Sequence, residues 1–385
     1  MSRRILIFSI AYYPKFVGGA EVAVKEITDR ISPQEIIFDM ITLNSGGEKS
    51  FETIGNVNVY RIFNKNGPVQ KMLFTKFAFL KAVRLHRRNR YDATWSIMAN
   101  YAGFAALFFK MFYPRISFVL TLQEGDPFSY IRKRVGILYP LFKRIFTRAS
   151  HIQAISKYLA DWARNMGAKC PITVVANGVD YDNFSKIISP ESRETLRNQL
   201  GFSRDDIVLV TASRLVLKNA VDNIISSLTY LPKNCKLLIM GIGDDEAKLK
   251  EQVNQLKLND RVVFKGFVPH KELPAYLQSS EIFIRPSRSE GLGNSFLEAM
   301  ATNIPVIATP VGGIFDFLVN GETGLFCEVE NPKSIAQKVE KLIKDKDSRE
   351  YIIDRAHKMV KENYRWEGIA EKMKNILNSK YEKGN

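Results

Sequence analysis

Cysteine and histidine are scarce in this chain of 385 residues: three cysteines (Cys170, Cys235, Cys327) and four histidines (His86, His151, His270, His357), all far apart. No pair has the spacing of a disulfide framework or a zinc site, so we expect no metal and a reducing, cytoplasmic compartment. Long apolar runs are missing too. No segment reaches the roughly 18 uninterrupted apolar residues of a membrane span, and Lys110 breaks the nearest one, Phe104 to Tyr113. The run from Ile5 to Tyr13 follows two arginines but lacks a small-residue cleavage site and leads into Gly18-Gly19, so it reads as a buried strand rather than a leader.

Acidic residues are sparse in one window. Between Lys65 and Arg148 only Asp92, Glu124 and Asp126 oppose sixteen lysines and arginines, so most of the net charge of +16 lies in the N-terminal half. The basic residues alternate with apolar ones, as in the segments from Lys71 (KMLFTKFAFLKAVRLHRR) and Tyr130 (YIRKRVGILYPLFKRIFTR). Such segments favour an anionic membrane surface, and an ordinary solvated helix face is the alternative. No nucleic-acid motif accompanies them, so nucleic acid is not an expected partner.

What is present is alternation. Strand-like runs at Phe38–Leu43, Val57–Ile62, Ala93–Ile97, Ser117–Leu122 and His151–Ile155 are separated mostly by helical patterns, and a second series begins at Asp206. This implies α/β architecture with mostly parallel sheets. With 45% hydrophobic residues the length suits two domains, which we place at 1–185 and 186–364, followed by a terminal helical segment, 365–385.

The most informative stretch runs from Arg285 to Ala301, RPSRSEGLGNSFLEAMA. An apolar strand, Glu281 to Ile284, precedes it and a helical pattern follows from Asn294 or Ser295. The loop of Gly291, Leu292 and Gly293 allows close backbone approach, and the helix N-terminus offers unpaired N–H groups, together an anion site. Glu290 and Glu298 could bracket a ligand on the order of 10 Å long. Ser295 to Glu298 also has the form of a capping box, which would explain Glu298 without a ligand.

Other strand ends carry chemistry of the same kind. Gly18-Gly19 sits between a strand and a helix, and Gln123-Glu124-Gly125-Asp126 follows the strand ending at Leu122. Arg214 and Lys218 follow the strand ending at Ala212, where two cations suit an anionic ligand. Gly241-Ile242-Gly243 is a weak nucleotide signal without its third glycine. Asn177-Gly178-Val179-Asp180 reads as a turn with Phe184 as an apolar anchor.

In this order, GGAE, NGVD, SRLVLKN, GxG, EGLGNSFLEAMA, PVIATPVGG and NGETGLF, the motifs resemble those of GT-B-fold retaining glycosyltransferases of family 4, with their E-x7-E motif. The resemblance implies two Rossmann-like, doubly wound domains facing a central cleft, and a terminal helix crossing back to the N-terminal domain. It implies sugar transfer from a nucleotide-sugar donor, without a metal or other cofactor. Glu290 then lies near the donor sugar, Glu298 at the ribose hydroxyls, and Arg214 with Lys218 at the diphosphate; Gly18, Gly19, Gly241, Gly291, Leu292, Gly293, Asn294 and Ser295 complete the donor side.

Two departures stand out. Gln123-Glu124 occupies a place where many members have a histidine, leaving Gln123, Glu124 and Asp126 as candidates for the acceptor or sugar side. The spacing from Arg214 to Lys218 is also one residue shorter than the common form. The basic N-terminal half makes a lipid-linked or anionic glycan acceptor the favoured partner, with the enzyme peripheral on the inner membrane face. A soluble sugar or sugar-phosphate acceptor, or a non-catalytic nucleotide-sugar-binding scaffold, are the alternatives.

Overall fold

The computed structural model describes residues 2–15, 18–65 and 67–379. Two compact units are present: one comprises the chain up to Gly178 together with the residues from Trp366 on, the other Val179–Arg365. The first unit therefore ends at Gly178 rather than at residue 185, because Val179 already bonds within the second unit, its N–H donating to the Tyr364 carbonyl at 2.7 Å. Of the expected terminal segment 365–385, the helix Trp366–Asn378 is described and residues 380–385 lie outside the described residues.

The first unit is built on an eight-stranded sheet in the order β3-β4-β2-β1-β5-β6-β7-β8. The strands are β1 (Arg3–Phe8), β2 (Ile36–Leu43), β3 (Phe51–Ile54), β4 (Val57–Ile62), β5 (Ala93–Ile97), β6 (Ser117–Leu122), β7 (His151–Ala154) and β8 (Ile172–Val174). All pairings are parallel except the edge pair β3–β4. Continuous apolar runs fit this arrangement, because helices cover both faces and neither side of a central strand meets water. Ile5 lies opposite Phe38 on one side and Ala93 on the other.

The helix Trp366–Asn378 completes this core. Trp366, Met373 and Leu377 are buried with Ile7, Phe38 and Trp95, although more than 260 residues separate the two sets. Gly178 makes room for the tryptophan: a Cβ there would stand 2.6 Å from the indole.

The second unit carries a six-stranded parallel sheet in the order β11-β10-β9-β12-β13-β14. Its strands are β9 (Ile207–Ala212), β10 (Cys235–Met240), β11 (Val262–Gly266), β12 (Ile282–Arg285), β13 (Val306–Ala308) and β14 (Leu325–Phe326). The chain builds outward from β9 to β11, then returns to β9's other side with β12. That reversal puts a crevice at the carboxyl ends of β9 and β12, the usual ligand position in an open α/β sheet. Among the described residues no helix is long and apolar enough to cross a membrane.

Candidate active site

The loops leaving β9 and β12 hold the predicted residues of the second unit. Beyond β9, the Ser213 and Leu215 N–H groups donate to the Met240 and Ile242 carbonyls, each at 3.0 Å, so this loop runs directly against the turn after β10. That approach requires glycine. A Cβ at Gly241 would stand 1.9 Å from the Ser213 carbonyl oxygen and one at Gly243 2.2 Å from that of Leu215. The G-x-G pair thus serves packing, and what it fixes is the segment bearing Arg214.

Arg214 is exposed, and Lys218 lies half-buried in a short turn, Leu217–Asn219. Buried Asn219 ties both to the second loop: its Nδ2 donates to the Arg214 carbonyl at 2.6 Å, and its Oδ1 accepts from Arg285 Nη2 at 3.0 Å. Arg288 adds another tie, its N–H donating to the Lys218 carbonyl at 2.7 Å. The Arg288 guanidinium grips both Asp222 oxygens, at 3.0 and 2.7 Å, and Glu330 as well. Hydrogen bonding to Asp222 holds Arg288 above its usual pKa, and that to Arg288 holds Glu330 below its own.

Glu290 is held at both side-chain oxygens. Arg285 Nη2 donates to its Oε2 at 2.5 Å, the Gly291 N–H donates to its Oε1 at 3.1 Å, and both charged side chains are about nine-tenths buried. Arg285 is itself fixed by Ser295 Oγ at 3.0 Å and by the Phe296 ring, 5.5 Å away. The pair is buried, and the further hydrogen bonds from the Gly291 N–H to Glu290 and from Arg285 to Ser295 and Asn219 hold its geometry.

The helix Asn294–Ala301 starts differently from the capping-box expectation. Its N-cap is Gly293, with φ +90°, and no side chain caps it. The left-handed glycine starts the helix upstream of Ser295, so Ser295 becomes a helical residue whose hydroxyl meets Arg285. Glu298 takes no part in a cap, and its Oε1 accepts from His270 Nε2 at 3.0 Å. The start of this helix is thus set by backbone geometry, with no side-chain cap at Gly293.

The remaining predicted residues belong to the first unit. Gly18 caps the helix Gly19–Asp29, and its N–H donates to Glu21 Oε2 at 3.0 Å. Beyond β6, Gln123 Oε1 accepts from Asn177 Nδ2 at 3.1 Å, which gives the NGVD turn a partner. Glu124 points inward instead of toward solvent. Its Oε1 accepts from the Ala99 N–H at 2.6 Å, its Oε2 is buried without a partner, and burial pushes its pKa up to about 7. Asp126 is half-buried on the same loop. Below these loops a buried relay crosses the sheet, from Trp95 Nε1 to Thr121 Oγ1 (2.7 Å), from Thr121 to Gln153 Oε1 (2.6 Å), and from Gln153 to the Val175 carbonyl.

Sequence reasoning missed Asn219, Arg288 and His270, and gave Arg285 no role. The two arginines were within its chosen stretch, but nothing in spacing reveals which carboxylate each meets. Among the described residues no three His, Cys, Asp or Glu side chains gather as a metal-ligand set.

Residues 192–359 match the model of Glycosyl transferases group 1, and residues 17–183 that of Glycosyltransferase Family 4. The capsular polysaccharide biosynthesis glycosyltransferase CapM of Staphylococcus aureus is 30% identical over 271 residues, 68% of either chain. This chain belongs to the group 1, family 4 glycosyltransferases. A further relative of this glycosyltransferase is the GDP-mannose-dependent monoacylated alpha-(1-6)-phosphatidylinositol monomannoside mannosyltransferase of Corynebacterium glutamicum, 25% identical over 98% of each chain. Among solved structures, HepE of Anabaena in complex with UDP-glucose matches with a TM-score of 0.81 at 20% identity, covering 97% of this chain and 99% of that one. That likeness gives the glycosyltransferase the GT-B fold, two parallel-sheet Rossmann-like domains.

Proposed function

We propose that this glycosyltransferase moves a sugar from a nucleotide-sugar donor to an acceptor hydroxyl with retention, the second unit holding the donor. The observation that carries the reading is Glu290, fixed in place by Arg285 at the β9/β12 reversal and tied through Asn219 to the loop of Arg214 and Lys218. In the reaction the bond from the anomeric carbon to the diphosphate breaks, the acceptor oxygen bonds on the same face, and the acceptor proton leaves with the diphosphate. Negative charge grows on the departing group. Arg214, Lys218 and the N–H groups of Gly291, Leu292, Gly293, Asn294 and Ser295 stabilise it, so the scheme uses no metal. Glu298 takes the ribose hydroxyls. The UDP-glucose complex of HepE supports a nucleotide-sugar donor.

For the acceptor we favour a lipid-linked or glycan precursor at an anionic membrane surface, with Gln123 and Asp126 toward the sugar or acceptor and Glu124 supporting their loop. The helix Phe128–Val135 buries none of its residues and presents Arg132, Lys133 and Arg134 beside Tyr130, Ile137 and Leu138, Ile137 being 95% exposed. Cationic and apolar groups together fit an anionic bilayer, and the phosphatidylinositol mannoside acceptor in the name of the Corynebacterium relative agrees with it.

The test is nucleoside diphosphate release from UDP-, GDP- and ADP-sugars with and without lipid extract, in EDTA, beside a Glu290→Gln variant. We expect lipid-stimulated release from one donor class and loss in the variant. Tight donor binding without release under any condition would favour a scaffold. Sedimentation with phosphatidylglycerol vesicles at low salt tests the surface separately; transfer to soluble sugars without sedimentation would leave a soluble acceptor.

A further inference from the structure

We propose that His270 is a positioning residue that sets the enzyme's preference for ribose in its donor, by holding Glu298 in a single orientation. The inference rests on the reading of Glu298 as the ribose contact and assigns the neighbour that makes that contact selective.

Both the backbone of His270 and its ring are fixed. Its backbone sits in a turn where the Glu272 and Leu273 N–H groups donate to the Pro269 carbonyl at 2.9 and 3.2 Å. The approach to that turn is pinned by the Gly241 N–H donating to the Gly266 carbonyl at 2.7 Å. One face of the ring lies against buried Phe184, with centroids 5.1 Å apart. At the ring edge, Nε2 meets Glu298 Oε1 at 3.0 Å.

A carboxylate only accepts, so Nε2 carries the proton. This bond uses one of the four lone-pair positions of Glu298 and fixes the plane of a group whose terminal torsion is otherwise broad. Oε2 and the second lone pair of Oε1 are left to accept from two neighbouring hydroxyls. The helix does not provide this restraint: it is capped by Gly293 backbone geometry, and Ser295 is occupied with Arg285. The histidine side chain is 36% exposed and that of Glu298 12%, so the pair lies at the edge of solvent, where a nucleotide can reach it.

The experiment compares affinities of ribo- and 2′-deoxyribonucleoside diphosphates by calorimetry, using whichever of UDP, GDP and ADP binds the wild type most tightly. Losing one hydrogen bond to a fixed carboxylate should weaken the wild type's binding roughly ten- to a hundredfold. His270→Phe keeps the ring against Phe184 and removes the donor, and should reduce the ratio to about twofold. His270→Gln restores an N–H and should recover most of the ratio. A Phe variant that keeps the full wild-type ratio, while Glu298→Ala abolishes it, overturns the role of His270 alone. If the wild type shows no preference, or Glu298→Ala retains one, the ribose reading of Glu298 fails and this inference falls with it.

Discussion

Gly312 lies so close to Glu290 that a Cβ on it would fall 1.9 Å from the Glu290 carbonyl oxygen. Its φ of +55° also belongs to the left-handed region, and the next residue, Gly313, donates its N–H to that same oxygen at 3.2 Å. Gly312→Ala must therefore displace the Glu290 loop. A displacement near 1 Å should cost roughly 10²-fold in turnover, with left-handed strain adding about 1 kcal/mol of destabilisation. Initial rates and melting curves check this; wild-type turnover in the alanine variant would show that the loop position is unimportant.

Arg285 and Glu290 form a buried pair, and removing one partner should hurt more than removing both. Arg285→Met leaves a buried carboxylate, which should lower stability by about 3 kcal/mol. Adding Glu290→Gln should recover part of that loss, giving a coupling of about 1 kcal/mol or more in a double-mutant cycle. Chemical denaturation measures it, and strictly additive losses would mean that the pair carries no net interaction. Glu290→Gln alone should lower turnover roughly 10²- to 10³-fold.

Glu124 gives the protein a pH signature. Its carboxyl, raised by burial from 4.5 to about 7, favours the folded state while protonated, so ionisation costs stability as pH climbs from 4.5 and the cost is complete above about 7. Glu124→Gln keeps an acceptor for the Ala99 N–H and removes the charge. The variant should match the wild type below pH 4.5 and be the more stable above pH 7, by about 3 kcal/mol. A stability gap that does not change with pH would contradict the raised value.

Asn219 connects the cations to the glutamate loop with two hydrogen bonds. Asn219→Ala should raise the donor concentration for half-saturation roughly tenfold through loss of orientation, and should also destabilise by about 1–3 kcal/mol because the Arg214 carbonyl loses its buried partner. Donor titrations at fixed acceptor decide this.

The strands were legible because parallel sheets covered on both faces demand long apolar runs, and these stand out between glycine turns. The edge strand β3 (Phe51–Ile54) was not expected: it alternates exposed and half-buried residues and takes its identity from antiparallel pairing with β4. At the site, glycines and carboxylates could be placed on their loops, since strand ends and helix starts have local signals. Their partners could not. His270 and Glu298 are 28 residues apart, Asn219 and Arg285 66, and such meetings follow from strand order. The capping-box alternative at Ser295 is a local rule, and it is not realised because Arg285 and the left-handed Gly293 set the helix start.

The order of synthesis follows from the last helix. Trp366, Met373 and Leu377 close the core of the first unit, yet the ribosome makes them after all of Val179–Arg365. The second unit has its complete sequence first. The nascent N-terminal sheet must wait for its tryptophan, with an apolar groove open meanwhile, so chaperone demand should peak during translation of the intervening unit and end when the final helix emerges.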